Sequence, residues 1–243
     1  MILKYEDQEV HFDVDYIKQK NKIGMSLSGG TDSALVFYLL CKYVDDIVIT
    51  PWCGIDKYRP AHILYAREIH QLMCEKFPDK NIKPMHEFSI DTNNKEWIDY
   101  SKTKINQYNI TGSGFVKSII CGYESNKLIQ SGEVNMQING LTSNPPKDVA
   151  KKLGFYEKCE ERRFSTDNQT KLKSTYKPFR NVNKKWVYGM YKTHDLLEWL
   201  YPYTQSCTGF AKQTDWFTKP CGQCFWCYEK KWAFGSFDLC FDL

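Results

Sequence analysis

Apolar positions along the chain change between two spacings, one typical of strands and one of helices. Short apolar runs at 22–27 and 46–52 predict buried strands, because a strand of a parallel sheet is covered on both faces. Apolar residues at helical spacing follow each run, over 31–43 and 61–76. Alternation of this kind predicts βαβ units.

The same alternation continues beyond the second helix. A third strand is predicted at 82–90, and Pro84 within it indicates an edge position, because proline cannot donate to a sheet. A helix is predicted at 115–131. The stretch 133–146 begins as a strand and ends in a loop rich in Gly, Asn and Pro, and a further helix is predicted near 183–194. The fold class predicted is therefore α/β, with a doubly wound parallel sheet.

The chain of 243 residues fits one large domain with an appendage. We expect an α/β domain over 1–200 and a C-terminal segment over 201–243 packed on it. Residues 155–176 are polar and show no clean period. They are predicted to form a surface insertion within the first domain.

Composition and charge restrict the class of protein. A hydrophobic content of 42% with 15% aromatic residues argues against disorder. The net charge of +4 comes from 33 basic and 29 acidic residues, so it neither requires nor excludes nucleic acid. The start "MILKYEDQEV" is acidic where a signal peptide is basic, and no apolar run approaches the roughly 18 residues of a membrane span. We expect a cytoplasmic protein with no membrane partner.

A glycine pair stands between the first predicted strand and its helix, in "SGGTDS" at 28–33. A helix N-terminus suits an anion, and Gly29 and Gly30 would let phosphate oxygens approach the backbone. Asp32 beside a phosphate indicates a bridging Mg²⁺. The hydroxyl donors at this turn are Ser28, Thr31 and Ser33. The motif is neither a Walker A loop nor a Gly-x-Gly-x-x-Gly turn; a capped turn without a ligand is the alternative.

Four of the ten cysteines have metal-ligand spacing near the C-terminus. Without an export signal, such clustering favours metal over disulfides. Four thiolates would make a closed tetrahedral Zn²⁺ site, and an iron–sulfur cluster is the main rival. Cys240 is a possible substitute ligand. The predicted ligands are Cys207, Cys221, Cys224 and Cys227.

The "SLSGGTDS" stretch resembles the pyrophosphate-binding loop of the N-type ATP pyrophosphatases, whose pattern is Ser-Gly-Gly-x-Asp-Ser. The resemblance implies an adenine nucleotide alpha-hydrolase-like fold that cleaves ATP to AMP and pyrophosphate, generally through an adenylated substrate. It implies that residues 28–33 bind the β- and γ-phosphates of ATP and that Asp32 is catalytic. Pro51 and Trp52 follow the second predicted strand, where this fold usually cradles adenosine, and Pro51 is expected to contact the purine.

A second motif, "KPFRNVNKK", resembles the later signature of the same family. Pro178 and Phe179 precede Lys184, which stands at a predicted helix start with Asn183 as N-cap. The resemblance implies that Lys184 faces the phosphates and offsets charge as pyrophosphate leaves. Because Lys185 is adjacent, an ordinary surface lysine remains the alternative.

The order of these motifs, with "TQSC" and the cysteine tail, resembles the 7-cyano-7-deazaguanine synthase family. That resemblance implies a cytoplasmic ligase of queuosine biosynthesis that uses ATP, Mg²⁺ and Zn²⁺. Its substrates would be 7-carboxy-7-deazaguanine, a small-molecule carboxylate, and ammonia; nucleic acid would not be required. A homodimer is possible by the same analogy.

The chain departs from that family in one loop. Residues 139–148, "NGLTSNPPKD", replace the family's acidic substrate loop with neutral hydrogen-bonding groups such as Asn139 and Thr142. The acceptor is therefore open at this stage. Related chemistry on another carboxylate or base is an alternative, as is tRNA thiolation, which would need a reactive cysteine such as Cys53 or Cys121. A nucleotide- and zinc-binding module without turnover is a third possibility.

Overall fold

A computed structural model describes residues 1–56, 61–90, 99, 114–154, 171–172 and 174–237. The described strands are β1 (Ile2–Tyr5), β2 (Gln8–His11), β3 (Lys22–Ser26), β4 (Val48–Ile55), β5 (Asn81–Ile82), β6 (His86–Ser89), β7 (Met136–Ile138), β8 (Lys171–Leu172) and β9 (Thr175–Tyr176). The described helices are α1 (Val14–Lys20), α2 (Thr31–Tyr43), α3 (Ala61–Lys76), α4 (Gly114–Gln130), α5 (Lys147–Lys152), α6 (Lys184–Thr193) and α7 (Phe225–Phe234). Short 3₁₀ turns lie at Tyr201–Tyr203 and Ala211–Gln213.

The central sheet has the order β5–β4–β3–β7–β9–β8, with β6 also paired to β4. Every described pair in it is parallel except β8 with β9. Strand β3 therefore has two neighbours in the sheet: β4, which is the next strand along the chain, and β7, which comes much later in the chain. Such a reversal of strand order leaves a crevice at the carboxyl ends of β3 and β7, where doubly wound folds bind ligands.

Side chains of β4 alternate between two apolar layers on opposite faces of the sheet. Ile49 and Cys53 pack into the main core, which also contains the buried residues of α2 and α3. Trp52 points to the opposite face and packs with Phe88 and with Ile120 of α4. Helices therefore cover both faces of the sheet, which confirms the predicted doubly wound α/β class.

The predicted elements agree closely with the observed ones where the pattern is regular. Helices α2 and α3 begin and end at the predicted residues. Strand β4 spans Val48–Ile55, so it ends three residues beyond the predicted run of 46–52, and Pro51 and Trp52 lie in the middle of the strand and not at its end. The third strand is broken around Pro84 into β5 and β6, both at the sheet edge as predicted.

The predicted insertion, 155–176, extends too far toward the C-terminus, because its last two residues form strand β9. Residues 155–170 and Lys173 lie outside the described residues. However, β9 pairs in parallel with β7, and Tyr176 is fully buried with its hydroxyl donating to the carbonyl of His11 at 3.0 Å. A strand of two residues is too short to give a readable period, which explains why the sequence pattern missed it.

The C-terminal helix α7 packs on the main body through α6. The ring of Phe234 contacts Tyr191 of α6 with centroids 5.6 Å apart. On its other side α6 contacts the N-terminal hairpin, where a Cβ on Gly189 would lie 2.0 Å from the ring of Tyr5. Within the described chain, no helix combines the length and the hydropathy that crossing a membrane would require.

Candidate active site

The glycine turn connects β3 to α2 at the carboxyl edge of the sheet. Gly29 has φ +77°, and a Cβ there would lie 2.9 Å from the carbonyl oxygen of His62 in α3. Packing against α3 and the left-handed backbone therefore both require glycine at this position. At Gly30 a Cβ would make only ordinary contacts, 3.5 Å to Ser28 Oγ and 3.7 Å to the carbonyl oxygen of Gln205. Protein packing does not demand glycine at position 30, which is consistent with close approach of a ligand.

Helix α2 begins at this turn with its N-terminus uncapped by a side chain. Gly30 is the N-cap residue and makes no side-chain cap hydrogen bond. The hydroxyl of Ser33 donates back to the carbonyl of Gly30 at 3.0 Å and accepts from the backbone N–H of Ser28 at 3.3 Å. These bonds stabilise the turn, and the first N–H groups of the helix can bind an anion.

Lys184 and Asp32 form an ion pair at the start of α2. The Nζ atom of Lys184 lies 2.7 Å from each carboxylate oxygen of Asp32 and 3.5 Å from Thr31 Oγ1. The Asn183 side chain caps α6 by accepting from the backbone N–H of Lys185, so Lys184 occupies the first turn of that helix. Lys185 instead has its Nζ 5.4 Å from the ring of Trp232. Of the two adjacent lysines, Lys184 is the one that reaches the glycine turn.

Three further contacts hold Asp32 and its neighbour in place. Thr142 Oγ1 donates to Asp32 Oδ2 at 3.4 Å. A Cβ on Gly140 would lie 2.5 Å from the backbone oxygen of Asp32, so the loop after β7 passes directly against the start of α2. The hydroxyl of Tyr191 donates to the carbonyl of Thr31 at 3.0 Å, and burial followed by the charge of Asp32 raises the pKa of Tyr191 well above 10. Tyr191 therefore remains a neutral donor.

A cavity of about 610 Å³ opens beside the turn, between the ends of β3 and β7 and helix α4. Most of its polar lining is neutral, and Lys177 and Asp32 are the charged residues among those that line it. Trp52 donates from Nε1 to Gln137 Oε1 at 2.8 Å, and Gln137 donates to the carbonyl of Ser125 at 3.1 Å. These bonds hold a flat aromatic surface and an amide side chain at the wall.

Residues predicted to contact adenosine or an acceptor are distributed unevenly around this cavity. Trp52 and Asn139 line it. Pro51 is buried within β4 and is not among the lining residues. Thr142 contacts Asp32, and the backbone N–H of Ser143 donates to the carbonyl of Val182 at 2.8 Å. The loop 139–148 therefore forms part of the cavity wall and also packs against the start of α2.

The four predicted metal ligands converge in space. The Sγ atoms of the four cysteines lie within 4.8 Å of one another, and those of Cys221 and Cys227 are 3.9 Å apart. Hydrogen bonds from Cys207 and Cys227 hold the pKa of Cys224 well below its ordinary value. The hydrogen bond with Cys224 raises the pKa of Cys207 to about 12. Four sulfurs this close together form a donor set for a metal ion, which binds cysteine as the thiolate and so releases the thiol protons. Cys240 lies outside the described residues.

The cysteine cluster is joined to the glycine turn by the segment that contains Gln205. The backbone N–H of Gln205 donates to the carbonyl of Gly29 at 2.8 Å. Two residues later, the carbonyl oxygen of Cys207 lies 3.1 Å from His62 Nε2 of α3. These contacts bring the metal-binding segment and the glycine turn together.

Sequence reasoning missed three residues that support this site. Gly140 has the close backbone contact described above, and Gln205 forms the link to Gly29. The third is Glu229, a fully buried residue of α7 whose Oε2 lies 3.9 Å from Lys184 Nζ. Two of the three lie in stretches that the sequence analysis singled out, Gln205 in "TQSC" and Gly140 in the loop 139–148. Glu229 has the spacing of an ordinary helical residue, so only the packing of α7 on α6 identifies it.

Comparison with known proteins gives likeness of fold. No protein-family model matches the chain, and no curated protein matches it significantly. Among solved structures, the U34-tRNA thiolase NcsA from Methanococcus maripaludis, with its 4Fe-4S cluster, is 18% identical, with a TM-score of 0.45 over 91% of this chain and 72% of that one. NMN synthetase from Francisella tularensis is 14% identical, with a TM-score of 0.48 over 92% and 83%. NH3-dependent NAD synthetase from Campylobacter jejuni is 16% identical, with a TM-score of 0.43 over 76% and 71%.

Proposed function

We propose that this chain is an ATP-using enzyme of the N-type ATP pyrophosphatase kind, which adenylates an acceptor carboxylate and releases pyrophosphate. The observation that carries the proposal is the pairing of Lys184 with Asp32 at an uncapped helix N-terminus, beside a cavity at the switch point of the sheet. This arrangement combines a site for phosphate, a carboxylate for a cation and space for a second substrate.

Each residue of the turn has a role in this proposal. The first N–H groups of α2 and the backbone at Gly30 would bind phosphate oxygens, with Ser28 and Ser33 holding the turn in shape. The carboxylate of Asp32 fits Mg²⁺, because its side chain is 20% exposed beside the anion site. Bound there, Mg²⁺ would neutralise charge on the phosphates. Lys184 would offset the charge that develops as pyrophosphate departs.

The reaction needs no covalent bond to the enzyme. A carboxylate oxygen of the acceptor attacks the α-phosphorus of ATP, the bond from that phosphorus to the bridging oxygen breaks, and pyrophosphate leaves with the electron pair. Ammonia then attacks the acyl carbon and expels AMP, which gives an amide. Positioning of the two substrates and stabilisation of charge would supply most of the catalysis.

We propose 7-carboxy-7-deazaguanine as the first acceptor to test, with the amide activated by a second ATP and dehydrated to 7-cyano-7-deazaguanine. The cavity supports a flat, polar heterocycle, because Trp52 offers an aromatic surface and Asn139 offers an amide group, while Gln137 holds the Trp52 ring in place. Lys177 at the cavity wall could pair with the carboxylate before it is activated.

The test is pyrophosphate release from Mg²⁺ and ATP with 7-carboxy-7-deazaguanine and ammonium, with products identified by mass spectrometry. The proposal expects AMP, pyrophosphate and the nitrile, all lost in Asp32→Ala and retained in Asp45→Ala, where the carboxylate is exposed and remote from the turn. Formation of ADP would contradict the mechanism. Pyrophosphate without the nitrile would retain the adenylation and redirect the search to another acceptor.

A second candidate function, transfer of sulfur to tRNA, is favoured by one observation. Cys121 of α4 lines the cavity, whereas Cys53 packs into the core on the opposite face of the sheet. Of these two cysteines, Cys121 is the one placed to carry a persulfide at the cavity. Cys121→Ser should abolish ATP-dependent tRNA thiolation and Cys53→Ser should not. If Cys121→Ser leaves amidation unchanged and no thiolated tRNA forms with the unaltered chain, this second candidate is excluded.

We propose Zn²⁺ as the ion of the cysteine cluster. Zn–S bonds of about 2.3 Å in a tetrahedron separate the sulfurs by about 3.8 Å, which is close to the observed 3.9 Å between Cys221 and Cys227. A cluster of several irons would need its thiolates farther apart. Metal analysis of the protein purified under anaerobic conditions should find one zinc per chain. Iron with acid-labile sulfide would contradict the assignment.

A further inference from the structure

Lys184 is nearly enclosed by protein, at 4% exposure, and two carboxylates approach its ammonium group. Asp32 makes two short contacts at 2.7 Å. Glu229 approaches from the opposite helix, with Oε2 at 3.9 Å, and is itself fully buried. The second contact is too long for a hydrogen bond and close enough for strong attraction in an environment that excludes water.

The two carboxylates differ in what else they can contact. Asp32 lines the cavity and stands at the anion site, so a cation bound with ATP would engage it. Glu229 lies behind Lys184, on the side of α7, and is not among the residues that line the cavity. When Asp32 coordinates a cation, its carboxylate no longer pairs with Lys184. Glu229 is then the carboxylate that remains beside the Lys184 ammonium. A buried ammonium without such a neighbour is strongly unfavourable.

We propose that Glu229 is a positioning residue of the phosphate site: it holds the ammonium of Lys184 in place while Asp32 holds the cation. The inference rests on the proposed function. Because the contact with Glu229 is 3.9 Å long, it allows Lys184 Nζ to move toward the departing phosphates. A short bidentate ion pair would resist that movement. Helix α7 begins at the cysteine cluster, with Cys227 two residues before Glu229, so the cluster helps to determine where this carboxylate lies.

The test is a double-mutant cycle on Glu229→Gln and Lys184→Met, with Glu198→Gln as an exposed control on the same protein. Two quantities are measured for each variant: kcat and KM for pyrophosphate release, and the dissociation constant of Mg²⁺-pyrophosphate by calorimetry. Metal content and thermal unfolding are recorded for all variants. Glu229→Asp, which keeps the charge, covers the case in which the Gln variant folds poorly.

If Glu229 acts through Lys184, Glu229→Gln lowers kcat at least tenfold and leaves KM for ATP within twofold, because the contact matters as charge develops on pyrophosphate. The dissociation constant of pyrophosphate rises about fivefold or more. The double variant is no worse than Lys184→Met alone. Glu229→Asp retains more kcat than Glu229→Gln, and Glu198→Gln equals the unaltered protein.

If the effects of Glu229→Gln and Lys184→Met multiply in the double variant, the inference is overturned. It is also overturned if the Glu229→Gln variant equals the unaltered protein in both measurements. A fall in kcat that tracks loss of the cluster metal would reduce Glu229 to a purely structural role. If the unaltered protein releases pyrophosphate, each of these results bears on Glu229 alone. If the unaltered protein neither releases nor binds pyrophosphate, the proposed function fails together with the inference.

Discussion

The ammonium of Lys184 lies 2.7 Å from both carboxylate oxygens of Asp32, although 152 positions separate the two residues in the chain. Asp32 belongs to the first turn of α2, and Lys184 to the first turn of α6. The packing of α6 on α2 thus places a positive and a negative group at the helix end where an anion would bind. The pair is mostly buried, so removal of one partner leaves the other uncompensated.

Lys184→Met is expected to lower the rate of pyrophosphate release by about 10²- to 10³-fold, the loss typical of one preorganised group that stabilises transition-state charge. Lys185→Met is the matched control, because that side chain lies against Trp232 and not at the loop. Initial rates at saturating Mg²⁺ and ATP measure the effect. Equal losses in the two variants would mean that the lysine acts through general surface charge.

The two glycines of the turn are expected to respond differently to alanine. Gly29→Ala should lower the free energy of unfolding by about 1–3 kcal/mol, because its Cβ would collide with α3 and its φ is +77°. Gly30→Ala should fold almost normally and weaken the binding of Mg²⁺-pyrophosphate at least tenfold, since its Cβ would enter the space proposed for phosphate. Urea unfolding and calorimetry measure the two effects. Unchanged pyrophosphate binding in Gly30→Ala would contradict the proposed phosphate position.

Removal of the cluster metal is expected to affect both stability and phosphate binding. Cys207→Ser should lose the ion and lower the free energy of unfolding by on the order of 4 kcal/mol, the contribution of a ligand present at about a thousandfold its dissociation constant. Pyrophosphate binding should weaken as well, because Gln205 links this segment to Gly29.

The matched control for the metal experiment is Cys74→Ser, which alters a cysteine of α3 outside the cluster. It should keep both the metal and the affinity for pyrophosphate. A Cys207→Ser variant that loses metal and stability while binding pyrophosphate normally would show that the cluster and the phosphate loop are independent.

Stability is expected to fall at mildly acidic pH because of His194. Burial lowers the pKa of His194 below its ordinary value of 6.5, and Lys42 beside it acts in the same direction, while Asp195 opposes them. Below pH 6.5 the unfolded chain therefore binds a proton that the folded chain does not, so stability decreases as the pH falls. Above that pH both states are neutral at this site and the contribution vanishes.

His194→Phe should reduce this acid sensitivity, because the ring would still pack against Tyr38 and Tyr43. Urea unfolding at pH 7.5 and pH 5.5 tests the prediction: the loss of stability between the two should be smaller in the variant. Identical losses in the variant and the unaltered protein would assign the pH dependence to other groups.

Local pattern was sufficient for much of the architecture. Helices α2 and α3, the edge position of the strand around Pro84 and the Asn183 cap were predictable, because each depends on residues a few positions apart. The spacing of the cysteines likewise indicated a shared ligand set, and their sulfurs converge. Strand β9 could not be predicted, because two residues give no period and the strand exists only through its pairing with β7.

The sequence by itself determined the alternation of strands and helices over β3 to α3, the glycine turn and the set of thiols, since these follow from short-range periodicity and from the chemistry of neighbouring side chains. The tertiary structure alone decided that Lys184 pairs with Asp32, that Gln205 joins the cysteine segment to Gly29, and that Glu229 lies beside Lys184. Those relationships join residues far apart in the chain, and they are set by how helices pack on the sheet and on each other, which no local pattern encodes.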